Sequence, residues 1–287
     1  MKTNWQAFNN HFCKSLSYIL KATAQNVVAF FNFDVTLNCP RASYTTTMKK
    51  HIFTITIISA FIVTGILSSC RLKCVHGSGN QTTEKRKADD FKKVDISGAF
   101  KVHLKQDSTL GISITADDNL IKYISTSVEG GTLHIKSKKN FCDPGDMVIN
   151  IGVKNLEEVK AAGAVEVYSD GKITAKDFSL DLSGATKVTL DLNAANVSTD
   201  GSGATEVNLT GQASSHKIDM SGASKINAFD FVVGEYEIET SGIAHCKINV
   251  LKTLNVHTSG ASEIEYKGSP STVNNDKSGA SSIKKVD

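Results

Sequence analysis

The residues best placed to do chemistry in this 287-residue chain are acids that recur at a steady interval. Asp95, Asp181, Asp200, Asp219, Glu239 and Asp276 each stand three positions before a glycine, and Lys160 and His257 hold that place in two further copies. On neighbouring strands such carboxylates would lie ~4.8 Å apart, where they raise one another's pKa or draw in a cation. Calcium takes about six to eight oxygen ligands, so Asp181, Asp200, Asp219 and Glu239, with adjacent Ser and Thr, are candidate metal ligands. The competing use is structural. An Asp two residues before Ser-Gly accepts backbone N–H groups at a bend and stays solvated. The Gly-Gly-x-Gly-x-Asp pattern of calcium-binding repeats is absent, which favours the structural use.

Catalysis is not expected. Glycoside chemistry needs an acid and a base facing one bond, and here the acids come one per repeat. His103, His134, His216, His245 and His257 are scattered and read as surface residues. The only arginines are Arg41, Arg71 and Arg86, and no Ser-His-Asp spacing, phosphate loop or zinc motif is present. No cofactor is implied. A formal charge of +3 with interspersed signs argues against a nucleic-acid partner. Past residue 70, Cys74, Cys142 and Cys246 are odd in number and lack CxxC spacing, which predicts neither a full disulfide framework nor a metal site.

The acids owe their spacing to a repeat. The central glycines Gly163, Gly184, Gly203, Gly222, Gly242, Gly260 and Gly279 are separated by 21, 19, 19, 20, 18 and 19 residues on subtraction, and Gly98 carries the same Ser-Gly-Ala motif earlier. Four residues after each glycine come Val102, Val167, Val188, Val207, Ile226, Cys246, Ile264 and Ile283; four before come Val94, Val159, Leu180, Thr199, Ile218, Ile238, Val256 and Asn275. Alternation of apolar and polar residues on both sides of a corner is strand periodicity. A period near twenty means stacked units that cannot bury their apolar side alone. The predicted fold is all-β: a right-handed parallel β-helix, or solenoid, of coils about 19–20 residues long. Within each coil Gly makes the bend and Ala gives clearance. Thr186, Thr205, Ser224, Ser262 and Ser281 would stack as a hydroxyl ladder, for rung pairing or as a flat polar face for a glycan. Lys101, Glu166, Lys187, Glu206, Lys225, His245 and Glu263 mostly alternate in sign, which favours register on a solvated face. Cys246 falls in the inner column and reads as an inert core thiol.

Residues 91–155 break the period and are predicted to cap the open end of the repeats at 156–287. Asp117 to Ile124 carries an N-cap signal and a helical apolar pattern, hence one short helix, and Gly130-Gly131 turns a hairpin. Upstream, Met48-Lys49-Lys50 opens an apolar run that closes on Leu67-Ser68-Ser69-Cys70, the order of regions in a secretory signal. Leu-Ser-Ser-Cys looks like the lipobox of bacterial lipoproteins, which implies cleavage after residue 69 and a lipid on Cys70; an uncleaved membrane anchor is the alternative. The expectation is a signal peptide at 48–69, a flexible polar tether at 70–90, and an upstream segment, 1–47, that comes from an over-extended gene model.

In its ordered motifs the chain resembles the auto-transporter adhesin, head GIN domain family, a domain of unknown function from Bacteroidetes. The resemblance lies in the lipoprotein signal, Phe91-x-x-Val94-x-Ile96-Ser97-Gly98, Val128-Glu129-Gly130-Gly131-Thr132-Leu133-His134-Ile135, Leu156-Glu157-Glu158-Val159 and the repeated Ser-Gly-Ala. It implies a noncatalytic, lipid-anchored envelope protein with an adhesin-like partner, a glycan or another envelope protein. A scaffolding or stress-related envelope role is the alternative, and a carbohydrate-active enzyme a more remote one. Arg71 after Cys70 lacks the acid that marks inner-membrane retention, which points to the outer membrane without choosing its face.

Overall fold

A computed structural model describes residues 74–286. The expectations for the upstream segment, the signal peptide and Cys70 lie outside the described residues. The protein is all-β apart from one helical turn. Its elements are β1 (Cys74–His76), β2 (Gln81–Arg86), β3 (Lys93–Gln106), β4 (Gly111–Asp117), α1 (Asp118–Ile121), β5 (Ile124–Glu129), β6 (Thr132–Ser137), β7 (Asn140–Cys142), β8 (Val148–Val153), β9 (Glu158–Lys267), β10 (Thr272–Gly279) and β11 (Ser282–Lys285). The main sheet is mixed. Its path runs β10-β9-β3-β8-β4-β2, with β11 on β9 and the β5–β6 hairpin on β3.

The repeat explains the length of β9. Extended backbone continues for 110 residues, bending at each Ser-Gly corner. Pairing is parallel and in repeat register: Gly98 with Gly163, Val94 with Val159 and Val102 with Val167. At the other end Gly260 pairs with Gly279 and Ile264 with Ile283. Between Gly98 and Gly163, 65 positions apart, the chain therefore carries an insertion, after which pairing resumes where the period requires. Gly203 has φ +92°, and a Cβ placed there would meet the Gly184 carbonyl oxygen at 2.5 Å. The corner excludes side chains both by its left-handed backbone and by the backbone one repeat away.

Alternation then sorts the columns. The residues four before and four after each corner are buried, from Val94 and Val102 to Val256 and Ile264. Each apolar side chain taken from water contributes about 1.5–3 kcal/mol. Two sequence expectations change here. The hydroxyl ladder does not face outward: Thr186, Thr205, Ser224 and Ser262 are buried, because position +2 shares its side of the strand with the core at +4. Thr240 Oγ1 and Ser262 Oγ share a hydrogen bond at 2.9 Å, whereas the Thr186 and Thr205 hydroxyls have no protein partner. The alanine after each glycine provides no clearance. Ala185, Ala204, Ala223 and Ala261 are exposed, and Ile243 takes the same place at 56% exposure.

The N-terminal segment also corrects the reading. Residues 81–86 are not a flexible tether: β2 pairs antiparallel with β4 from Gln81–Asp117 to Arg86–Ile112. Arg86 anchors its end through Nη1 to the Ile124 carbonyl at 2.7 Å and Nη2 to that of Ile121 at 3.3 Å. A disulfide joins Cys74 to Cys142, which the odd cysteine count does not forbid. The hairpin forms as expected, with Glu129 opposite Thr132. The helix is a four-residue turn, and the Asp117 side chain does not cap it. The buried Asp117 carboxylate instead accepts the Gly79 N–H at 3.0 Å. Among the described residues, no helix is long and apolar enough to cross a membrane.

Candidate functional site

The face before the corners carries the acids singled out in the sequence. Residues three and five positions ahead of the corner glycines, joined from Gly184 to Gly260 by those seven ahead, point out of the same stretch of sheet, since they alternate with buried columns. Their backbone borders a groove of about 1110 Å³ that crosses seven successive repeats. Its polar lining includes Lys93, Glu158, Asp177, Asn196, Ser215, Lys217, Glu237 and Asn255.

Charge on this face is paired from repeat to repeat. Lys93 Nζ lies 2.7 Å from Glu158. Lys160 Nζ reaches Glu158 at 3.3 Å and Asp181 at 3.2 Å. Lys217 Nζ meets Glu237 at 2.8 Å and Glu239 at 3.4 Å. The hydrogen bond from Lys93 holds Glu158 below the usual carboxylate range against a partial desolvation penalty. The bond from Lys217 likewise lowers Glu237, while Asp181 and then Glu158 raise the Lys160 ammonium. Uncharged rungs continue the pattern: Asn196 Nδ2 donates to Asp177 at 2.7 Å, and Ser215 Oγ donates to Asn196 Oδ1 at 2.9 Å.

The predicted acidic ladder is thus an interleaved one. Asp95 is met by His134 at 2.8 Å and Lys136 at 3.3 Å, and Asp276 by His257 at 3.9 Å. Asp200 accepts the Ser198 hydroxyl at 3.1 Å. Asp219 and Glu239 line a smaller cleft with His257 and Asp276. Among the described residues, no three ladder carboxylates bring oxygens within 4.8 Å of one another; Cys74, His76 and Cys142 do bring ligand atoms that close, and the two cysteines are disulfide-bonded. On the opposite outward face the alternating charges also meet, as in His245–Glu263 at 3.5 Å and Lys284–Glu263 at 3.0 Å.

One histidine departs from the surface reading. His216 is 1% exposed, six residues before its corner, in an inward column with Phe178, Val197, Tyr236 and Leu254. Its Nε2 shares a hydrogen bond with Thr199 Oγ1 at 2.9 Å, and its ring lies 5.3 Å from that of Tyr236. Burial pushes its pKa down to about 3, so it is neutral at physiological pH. A signal for this existed: Thr199 interrupts an apolar column, and a His seventeen residues on falls where it can partner it. Cys246 is buried and free as expected, its thiol pushed up to about 12 by burial.

The profile of the family described as "Putative auto-transporter adhesin, head GIN domain" matches residues 90–270. The chain belongs to that family. Among solved structures, the fold of this head GIN-domain protein is shared with a protein described as a "putative adhesin" from Bacteroides fragilis, at 22% identity, TM-score 0.71, and coverage of 74% of this chain and 100% of that one. A "putative lipid binding protein" from Parabacteroides distasonis matches at 21% identity and TM-score 0.60, covering 75% and 100%. A "putative adhesin" from Parabacteroides merdae matches at 22% and 0.58, covering 74% and 99%. At these identities the likeness concerns the fold. No curated protein matches the sequence.

Proposed function

We propose that this head GIN-domain protein is a lipid-anchored, noncatalytic binding module of the cell envelope, with an adhesin-like role toward a glycan or another envelope protein. The observation that carries the reading is the groove across seven repeats, with polar side chains along it. Its amides, hydroxyls and paired charges suit an extended, hydrogen-bonding ligand that contacts several repeats at once. The family membership supports an envelope or surface location. The Leu67 to Cys70 motif after an apolar run supports lipidation of Cys70, in the outer membrane. The noncatalytic reading is supported by the Lys partners that engage Glu158, Asp181 and Glu237, and by the burial of His216. In-register parallel pairing of corners supports a right-handed parallel β-helix as the path of the repeats, since parallel crossovers are right-handed in about 98% of cases.

The test is a glycan array together with a pull-down from envelope fractions, using the wild-type protein and a Lys217→Ala/Glu237→Ala variant. Binding weakened about tenfold or more by the variant is expected. A wild-type protein that retains nothing in either screen would remove the adhesin reading in favour of a scaffolding role, visible as envelope stress on deletion without loss of adherence.

A further inference from the structure

The chain enters the described domain at a fixed point. Cys74 is bonded to Cys142, and β1 pairs with β7 so that Cys74 faces Asn140 and His76 faces Cys142. The residues that follow are held at every step. Asn119 Nδ2 donates to the His76 carbonyl at 2.8 Å, and Asn119 Oδ1 accepts the Ser78 N–H at 3.1 Å. Asp117 accepts from Gly79, and β2 then pairs along β4. Residues 74–86 form a strap without slack. The strap and its partners lie at one end of the sheet path, β2 being the last strand on that side and β10 the last on the other.

We propose that the capped end of the domain, where β1, β7 and the strap meet, is the face that lies against the lipid bilayer, and that the β10–β11 end is held away from it. The proposal rests on the reading of Cys70 as the lipid-bearing residue. From Cys70 to Cys74 is four residues, and fully extended chain spans at most about 3.6 Å per residue, so the anchor lies within about 14 Å of the disulfide. The eight corners from Gly98 to Gly279 are separated by seven inter-strand steps of about 4.8 Å, roughly 34 Å in all. A 14 Å lead cannot run along a 34 Å stack, so the domain cannot turn its β10 end to the membrane. Around the disulfide, exposed Lys122, Lys138 and Lys139 are mixed with Asp118, Asp143 and Asp146, a surface suited to resting on headgroups without inserting. The disulfide sets the standoff. Without it the first fixed point moves to the Asn119 bond at His76, six residues from Cys70, and the reach grows to about 22 Å.

The experiment uses the full chain, expressed in a host that processes lipoproteins and reconstituted in phosphatidylcholine–phosphatidylglycerol vesicles containing a nitroxide-headgroup lipid. A fluorophore is attached without reductant to Lys139→Cys or Lys277→Cys, with Lys122→Cys and Lys285→Cys as a second pair, and mass analysis confirms the Cys74–Cys142 bond. Quenching several-fold stronger at 139 and 122 than at 277 and 285 is expected. Twenty Gly/Ser residues inserted between Lys73 and Cys74 should bring the two ends level, and Cys74→Ser/Cys142→Ser should reduce the contrast. Equal quenching at both ends of the uninserted protein, or stronger quenching at 277, overturns the proposal while leaving lipidation intact. Failure to partition into vesicles, unchanged by Cys70→Ser, overturns the anchor reading and the proposal with it.

Discussion

Replacing the corner glycine Gly203 by alanine tests the stacking argument most directly. Gly203 has φ +92°, and holding an L-residue in the left-handed region costs about 1–2 kcal/mol. The new Cβ would also stand 2.5 Å from the Gly184 oxygen, 3.1 Å from its nitrogen and 3.2 Å from its carbonyl carbon. Those are backbone atoms paired on their own side, so the repeat must shift to admit the methyl, an overpacking cost of about 1–3 kcal/mol. The loss expected for Gly203→Ala is therefore about 2–5 kcal/mol. Gly171 supplies the control. Its φ is +97° and nothing lies within 4 Å of the position an alanine Cβ would take, so Gly171→Ala should lose only the backbone cost, about 1–2 kcal/mol. Urea unfolding followed by far-ultraviolet circular dichroism gives both numbers. For a domain of this size each kcal/mol lowers Tm by about 2–4 °C, so a thermal scan also separates the variants. Equal losses at the two sites would refute the claim that backbone contact between repeats, and not φ alone, dictates the corner glycines.

Four further outcomes follow from the same structure. Burial lowers the His216 pKa from 6.5 to about 3, so the unfolded chain binds more protons between those values; stability is full above pH 6.5 and falls as pH drops toward 3, by at most about 1.4 kcal/mol per pH unit, and His216→Phe should flatten that limb of a pH–denaturation series. Thr199→Val leaves the His216 Nε2 without its partner and should cost about 1–3 kcal/mol in urea unfolding, whereas Thr199→Val with His216→Phe should recover much of it. Reducing the Cys74–Cys142 bond, which closes a separation of 68 residues, should lower stability by up to about 4 kcal/mol, read as a midpoint shift with and without reductant. Calcium titrated onto the protein should give no binding heat and no Tm shift, because Lys160 and Lys217 already engage Asp181 and Glu239; a saturable exotherm lost in Asp219→Asn would restore the metal reading of the ladder.

The sequence by itself determined the repeat, its period, the two core columns and the corner, because stacking forces equivalent residues into one environment and so writes the period into the chain. It also marked the hairpin at Gly130-Gly131 and the buried thiol of Cys246. Tertiary structure alone decided what depends on partners distant in sequence. Thr186 and Ser224 are hydrophilic by type, and only the side of the strand they share with Val188 and Ile226 makes them interior. The ladder acids look like a cation site until Lys160, in the same column one repeat earlier, engages Asp181 and Lys217, from the adjacent column, engages Glu239. Gln81 to Arg86 has the composition of a linker, and becomes a strand because β4 offers an open edge and the Ile121 and Ile124 carbonyls hold Arg86. Cys74 and Cys142 meet across 68 residues only because the inserted segment folds back beside the first strand. Composition records a residue's cost in isolation; the fold decides whether a partner arrives to offset it.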